Sequence, residues 1–433
     1  YQQNLHFKQL FKIIELMGHD WYKGMEHVSF GMVSYEGRAL STREGYVVYL
    51  EDLLNKAVEK AREIIEEKSP NLPNKDEVAR QVGVGAGLPL MDWLQVIFPI
   101  EDRLTDERVY WGSMLSIMEM IRRGTTAFAD MYFFMPAVAR AVLETGMRAN
   151  LVRSLTSLEK LPEAEAFFRE FDGAGEGRVR VYYSPHAEYT TTPELNRAII
   201  ERARRDKTGI HVHISETRSE VEGCRERHGV SPVRYYESLG AFDGPCIAAH
   251  CVHVSEEDIA ILAARHVNVA HCPGSNLKLA SGFAPTPRML AAGVNVAIGN
   301  DGPCSNNSLN MFSEMRLAAC AAKAAWQDSS AIPARQAIQM ASENGVRALG
   351  FANVGRLEAG MRADLILLDP EAENLHPCFD LAETIAYAAE GLNVRLTMVD
   401  GKVLYRDGEF LTLDAERVRA NFDRCSKALV GEK

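Results

Sequence analysis

Residues 209–217 read GIHVHISET. Two histidines two apart close an apolar run, and a glutamate follows three residues later. A barrel enzyme presents a metal ligand and a proton carrier in this way, at the C-terminal end of a strand. One such pair does not hold a metal, so the rest of the site has to come from neighbouring strands.

Those strands are legible on both sides. The runs TTAFADMYF (125–133), RANLVRSL (148–155), RVRVYYSPH (178–186), PCIAAHCV (245–252), VNVAHCP (267–273) and VNVAIGND (294–301) share its character. Each is short and nearly all apolar, and helical segments separate them. TPELNRAIIERARRDK starts with Thr192 as N-cap and Pro193 at the first helical position, and SEEDIAILAARH starts with Ser255. Apolar strands alternating with helices predict a parallel sheet covered on both faces. The reading is α/β, a (β/α)₈ TIM-type barrel of which seven strands can be counted, one short of a closed barrel. His186, His213, Glu216, His250, His271 and Asp301 all fall at or just past strand C-termini, the catalytic face of such barrels.

The remainder of the chain has a different texture. VGRLEAGMRADLILLDP and VRLTMVDGKVLYRDGEF predict short strands joined by glycine turns, a partial small β-domain, and AERVRANFDRCSKAL a closing helix. Before the barrel, LHFKQLFKIIELMG and LEDLLNKAVEKAREIIEEK predict helices, and HVSFGMVSY and GYVVYLED strands. The expected parts are 1–86, an α/β N-terminal fragment, 87–350, the barrel, and 351–433, a partial β-sandwich with a C-terminal helix.

Composition narrows the class. Of 433 residues, 46% are hydrophobic and 25% charged, an ordinary globular balance. The formal charge of −11 argues against nucleic-acid or anionic-membrane binding, and no apolar run is long enough to span a bilayer. The eight cysteines form no C-x-x-C pair and read as reduced thiols, which suits a cytoplasmic location.

The residue types set the chemistry. His213, His250 and Asp301 converge at one barrel mouth and suit Zn²⁺ or Fe²⁺. Such a metal lowers the pKa of bound water to about 7. Glu216 reaches the same pocket as a proton donor, and Asp301 or His250 takes the proton of the water. That is hydrolysis or hydrolytic deamination.

The ordered blocks LPLMDWL, PIEDRLT, VYWGSMLSIMEMIRRGTTAFADMYFF, PHAEYT, HVHISET, AAHCV, SNLKLASGFAP, NDGPCSNNSLNMFSEMRLA and GRLEAGMRADLILLD resemble the amidohydrolase superfamily. Within it they resemble the 5′-methylthioadenosine/S-adenosylhomocysteine deaminases. The resemblance implies His213 and Asp301 as ligands of one Zn²⁺ or Fe²⁺ per complete site. It implies Glu216 as general acid at the purine ring, His250 as the group positioning the water, and Asp301 also as base. It implies Glu101 at the ribose hydroxyls, Arg153 at the substrate's tail, His186 at the nucleoside and Trp93 in the pocket wall. The implied partner is a small nucleoside, and a homo-oligomer is left open.

Two departures stand out. The family places a His-x-His pair on its first barrel strand, where this chain has QVGVGAG (81–87), so the resemblance implies a barrel that lacks both the pair and its first strand. The family's N-terminal β-strands are missing too. The segments NLHFKQLFKIIELMG, HVSFGMVS, LSTREGYVVYLEDLLNKA and DEVARQVGVGA instead resemble the late catalytic domain of arginyl-tRNA synthetase. Three expectations follow: an adenosine-type deaminase, a catalytically inactive chain with half a metal shell, or a tRNA-linked module built on residues 1–86. A strand such as HVSFGMV or YVVYL filling the first barrel position is a further expectation.

Overall fold

A computed structural model describes residues 90–430 together with 34, 35, 38 and 39. The chain divides into two compact units, Tyr1–Gly85 and Ala86–Lys433. In the first unit the described residues form one short antiparallel ladder, β1 (Ser34–Tyr35) against β2 (Arg38–Ala39). The other expectations for residues 1–86, including a strand that fills the first barrel position, lie outside the described residues.

The second unit is built on a curled, fully parallel seven-stranded sheet. Its strands run in chain order: β3 (Ala127–Tyr132), β4 (Arg148–Ser154), β5 (Val179–Ser184), β6 (Ile210–Ile214), β7 (Cys246–His250), β8 (Asn268–His271) and β9 (Asn295–Ile298). All seven strands expected from the sequence are present, each within its predicted run. Strands β4 to β7 are buried almost throughout, every residue of β7 included, because helices cover one face and the barrel interior the other. The edge strand β3 is only half-buried along most of its length. Among the described residues nothing pairs with the outer edge of β3 or of β9.

Helices return the chain between strands, and side chains mark where several of them start. Thr192 accepts from Leu195 N at 3.3 Å, Thr217 from Glu220 N at 3.2 Å, and Ser255 forms a reciprocal capping box with Asp258.

The C-terminal segment forms a four-stranded antiparallel sheet in the order β10 (Leu365–Leu368), β11 (Val394–Val399), β12 (Lys402–Arg406), β13 (Glu409–Phe410). A fully buried ion pair ties it to the barrel. Arg148, at the start of β4, donates from Nε and Nη2 to the two Asp364 carboxylate oxygens at 2.7 and 2.9 Å. The closing helix, Ala415–Val430, packs against the helix Asp106–Arg122, and Arg424 meets Glu107 at 2.6 Å. Among the described residues no helix is long and apolar enough to cross a membrane.

Candidate active site

The strand β6 sets the site. Alternation along IHVHI turns Ile210, Val212 and Ile214 into the core between sheet and helices and leaves His211 and His213 on the opposite face, toward the barrel interior. The backbone N–H and Nδ1 of His213 both meet the carbonyl of His186, at 2.9 and 3.1 Å. The two rings lie 4.9 Å apart between centroids, and the His213 ring stacks on that of His250 at 5.5 Å. His250 ends β7. Its Nδ1 donates to Asn276 Oδ1 at 2.8 Å, which leaves Nε2 facing Glu216 Oε2 at 3.6 Å. Glu216 also accepts from Ser281 Oγ at 3.3 Å. Asp301 follows β9 and accepts from Ser275 Oγ at 2.6 Å and Gly302 N at 2.7 Å.

The backbone is strained where these groups are displayed. His186, Ser215, His250, Cys251 and Asp301 all carry left-handed φ values, between 48° and 73°. None is glycine, and each such residue costs on the order of 1–3 kcal/mol. Such strain gathers where side chains must be aimed, here at the ends of β5, β6, β7 and β9.

The electrostatics separate the groups. Burial drives His186 to about 3 and His213 to about 4, with neighbouring imidazoles adding to both shifts, so both rings are neutral at pH 7. Burial lowers His250 too, but the carboxylates of Glu216 and Asp301 outweigh it and hold His250 above its ordinary value. Burial pushes Glu216 upward, toward its protonated form. Asp301 is held below the usual carboxylate range. Burial opposes this, but His250, Ser275, His213 and the Gly302 N–H overcome it. One carboxyl is biased toward acid and the other toward base within one pocket, the pattern that sorts proton donor from acceptor.

The other expected site residues take their own places. Glu101 ends the helix Leu90–Glu101 and accepts from Tyr132 Oη at 2.6 Å. Trp93 is on that helix, its indole Nε1 buried and without a partner. Arg153, near the end of β4, is paired with Glu163, and its Nε is buried and unpartnered. Three partners escaped the sequence reading: Ser275, Ser281 and Glu220. Ser275 lies in the short helix Pro273–Lys278 and Ser281 in the loop after it, small residues whose contacts only the fold reveals. Glu220 stands four residues after Glu216, inside the helix Arg218–His228.

The comparisons fix the class. The amidohydrolase family model matches residues 78–404, and this chain belongs to the amidohydrolase family, hydrolases that include enzymes acting on C–N bonds. Among curated relatives, a 5-methylthioadenosine/S-adenosylhomocysteine deaminase of Moorella thermoacetica is 51% identical over 340 residues, 77% of this chain and 79% of the relative. A 5′-deoxyadenosine deaminase of Methanosarcina mazei is 44% identical over 356 residues, 80% of this chain and 82% of the relative. The crystal structure of an adenosine deaminase from Xanthomonas campestris with bound zinc superposes with a TM-score of 0.78 at 34% identity, covering 81% of this chain and 82% of that one. Residues 1–91 match the catalytic domain of class I tRNA synthetases of the arginine type.

The metal that such a relative carries finds an incomplete set of ligands. Among the described residues no three His, Cys, Asp or Glu side chains form a group able to hold an ion. The sequence holds no histidine between His27 and His186, so nothing in that stretch supplies a His-x-His pair. His213 and Asp301 alone do not fit a closed zinc site.

Proposed function

We propose that residues 86–433 are a hydrolytic deaminase of adenosine-type nucleosides, with S-adenosylhomocysteine and 5′-methylthioadenosine as substrates and Zn²⁺ or Fe²⁺ as the metal. The observation that carries this reading is the proximity of Glu216, His250 and Asp301: His250 faces Glu216 at 3.6 Å and is held by Asn276, next in the chain to the Ser275 that holds Asp301, with opposed proton preferences on the two carboxyls. The named relatives support it.

In this reading protonated Glu216 donates to purine N1, which draws electron density from C6. Water adds at C6 as Asp301, with His250 beside it, takes its proton. The 6-amino group of the tetrahedral carbon takes the proton held by Asp301 and leaves as ammonia, while the C6 hydroxyl gives its proton to Glu216 and becomes the carbonyl, which restores both carboxyls. His186 borders the nucleoside, Glu101 takes the ribose hydroxyls, Trp93 lines the pocket and Arg153 takes a carboxylate tail. A guanidinium fork suits a carboxylate bidentately.

A second reading has its own support, the half-complete ligand set. Under it the chain binds nucleosides and does not turn them over. Ammonia release from both substrates, measured with metal content on the same sample, separates the two. Release that depends on Glu216 supports the first reading, and nucleoside binding without release supports the second.

A further inference from the structure

Glu220 sits in the first turn of the helix Arg218–His228 and is 5% exposed. A carboxylate at this distance from an N-cap ordinarily closes a capping box by taking the N–H of the cap residue. Here the cap is Thr217, and Glu220 reaches past it. Its Oε1 accepts from Ser215 N and its Oε2 from Glu216 N, both at 2.7 Å. These are the two peptide units that carry the chain off β6 and point Glu216 into the pocket. The first belongs to Ser215, held at a φ of 54°. From the other side, the Ser215 carbonyl accepts from His253 N at 2.8 Å, which ties the same turn to the segment after β7.

We propose that Glu220 is the positioning residue for Glu216. One buried carboxylate clamps both N–H groups of a strained turn and so fixes where the proton donor stands. The proposal rests on Glu216 being the proton donor. It assigns Glu220 no contact with substrate. A glutamine at 220 offers one acceptor oxygen and one amide group to two N–H donors, so one of the two bonds is lost. Burial pushes the Glu220 carboxyl up to about 7, against the pull of the two N–H donors, so the full clamp belongs to its ionised form. Loss of one of the two bonds corresponds to about tenfold or more in local opening.

The test is hydrogen exchange of the full chain by mass spectrometry, for the wild type and E220Q, read with S-adenosylhomocysteine binding by calorimetry and ammonia release. The expected result is an exchange rise of about tenfold confined to residues 214–217. Ammonia release from S-adenosylhomocysteine should fall in E220Q with binding nearly unchanged, and should fall no further when E220Q is added to E216Q. Unchanged exchange at 214–217, or a rise spread evenly over β6 and β7, would overturn the proposal. Should E220Q not fold, E220D keeps both oxygens but stands one methylene short of the turn. The same local rise is expected of it, and its absence is equally decisive. A wild-type chain that binds no nucleoside would remove the proposed function and leave the exchange result to decide Glu220.

Discussion

The Nε2 of His250 faces the Oε2 of Glu216 at 3.6 Å, with Asn276 behind the imidazole and Ser281 beyond the carboxyl. This spacing is an ion-pair contact longer than a hydrogen bond, so each group keeps the capacity to bond a third molecule placed beside the pair. Glu216→Gln removes the acid while keeping its size. Turnover is expected to fall by about 10²–10⁴ with nucleoside binding nearly unchanged. Equal losses in turnover and binding would show Glu216 to be a substrate contact and no more.

Arg153 separates the two substrates. S-adenosylhomocysteine ends in an amino acid carboxylate and 5′-methylthioadenosine in a methyl thioether. Arg153→Ala is expected to weaken the first by about tenfold or more and to leave the second unaffected. Glu163, the present partner of Arg153, competes for the guanidinium. Glu163→Gln is therefore expected to tighten the homocysteine substrate selectively. Calorimetry on both ligands reads both effects, and parallel losses would remove Arg153 from the tail.

The buried histidines impose a pH dependence on stability. Burial, with a smaller contribution from the His250 charge, lowers His271 to about 3, against about 6.5 in an unfolded chain. The unfolded chain then binds the extra proton between those values. The stability from keeping this ring neutral is complete above about 6.5 and is lost as pH falls toward about 3. His271→Leu removes that site and leaves no unpartnered ring nitrogen. Below pH 6 the slope of unfolding free energy against pH is expected to flatten by about 1.4 kcal/mol per unit. Denaturant titrations at several pH values check this, and an unaltered slope would contradict it.

The Arg148–Asp364 pair fastens the small sheet to the barrel out of reach of water. Asp364→Ala strands a buried guanidinium and leaves the Asp400 N–H without its acceptor. A loss of about 3–5 kcal/mol is expected. The double variant Arg148→Met, Asp364→Leu is expected to recover part of it, since neither charge remains buried. Unfolding midpoints of the three proteins give the comparison.

Much of this was legible in the sequence. The seven barrel strands are short, apolar and helix-separated, and each appears where its run predicts. His213, Glu216, His250 and Asp301 are legible because each closes or follows such a run. Ser275, Ser281 and Glu220 were not, since their partners lie 26, 65 and 4–5 residues away across turns that no periodicity marks. The left-handed backbone at His186, Ser215, His250 and Asp301 was hidden too, because none of these residues is a glycine that would announce it. The departure at 81–87 was plain from residue identity alone. So was its consequence for the metal, since the chain has no histidine between His27 and His186 to make up the pair, and among the described residues no three candidate ligands group together.

That consequence can be measured. Two protein ligands hold zinc weakly, so the chain is expected to lose metal on dialysis and to need an excess of it for turnover. The most direct test of the deaminase reading is ammonia release from S-adenosylhomocysteine with excess Zn²⁺ or Fe²⁺, wild type against Glu216→Gln. Release is expected from the wild type, is expected to be lost in Glu216→Gln and is expected to stop when metal is withdrawn. No release above the Glu216→Gln level at any metal concentration would contradict it, and would leave the chain a nucleoside-binding barrel without its chemistry.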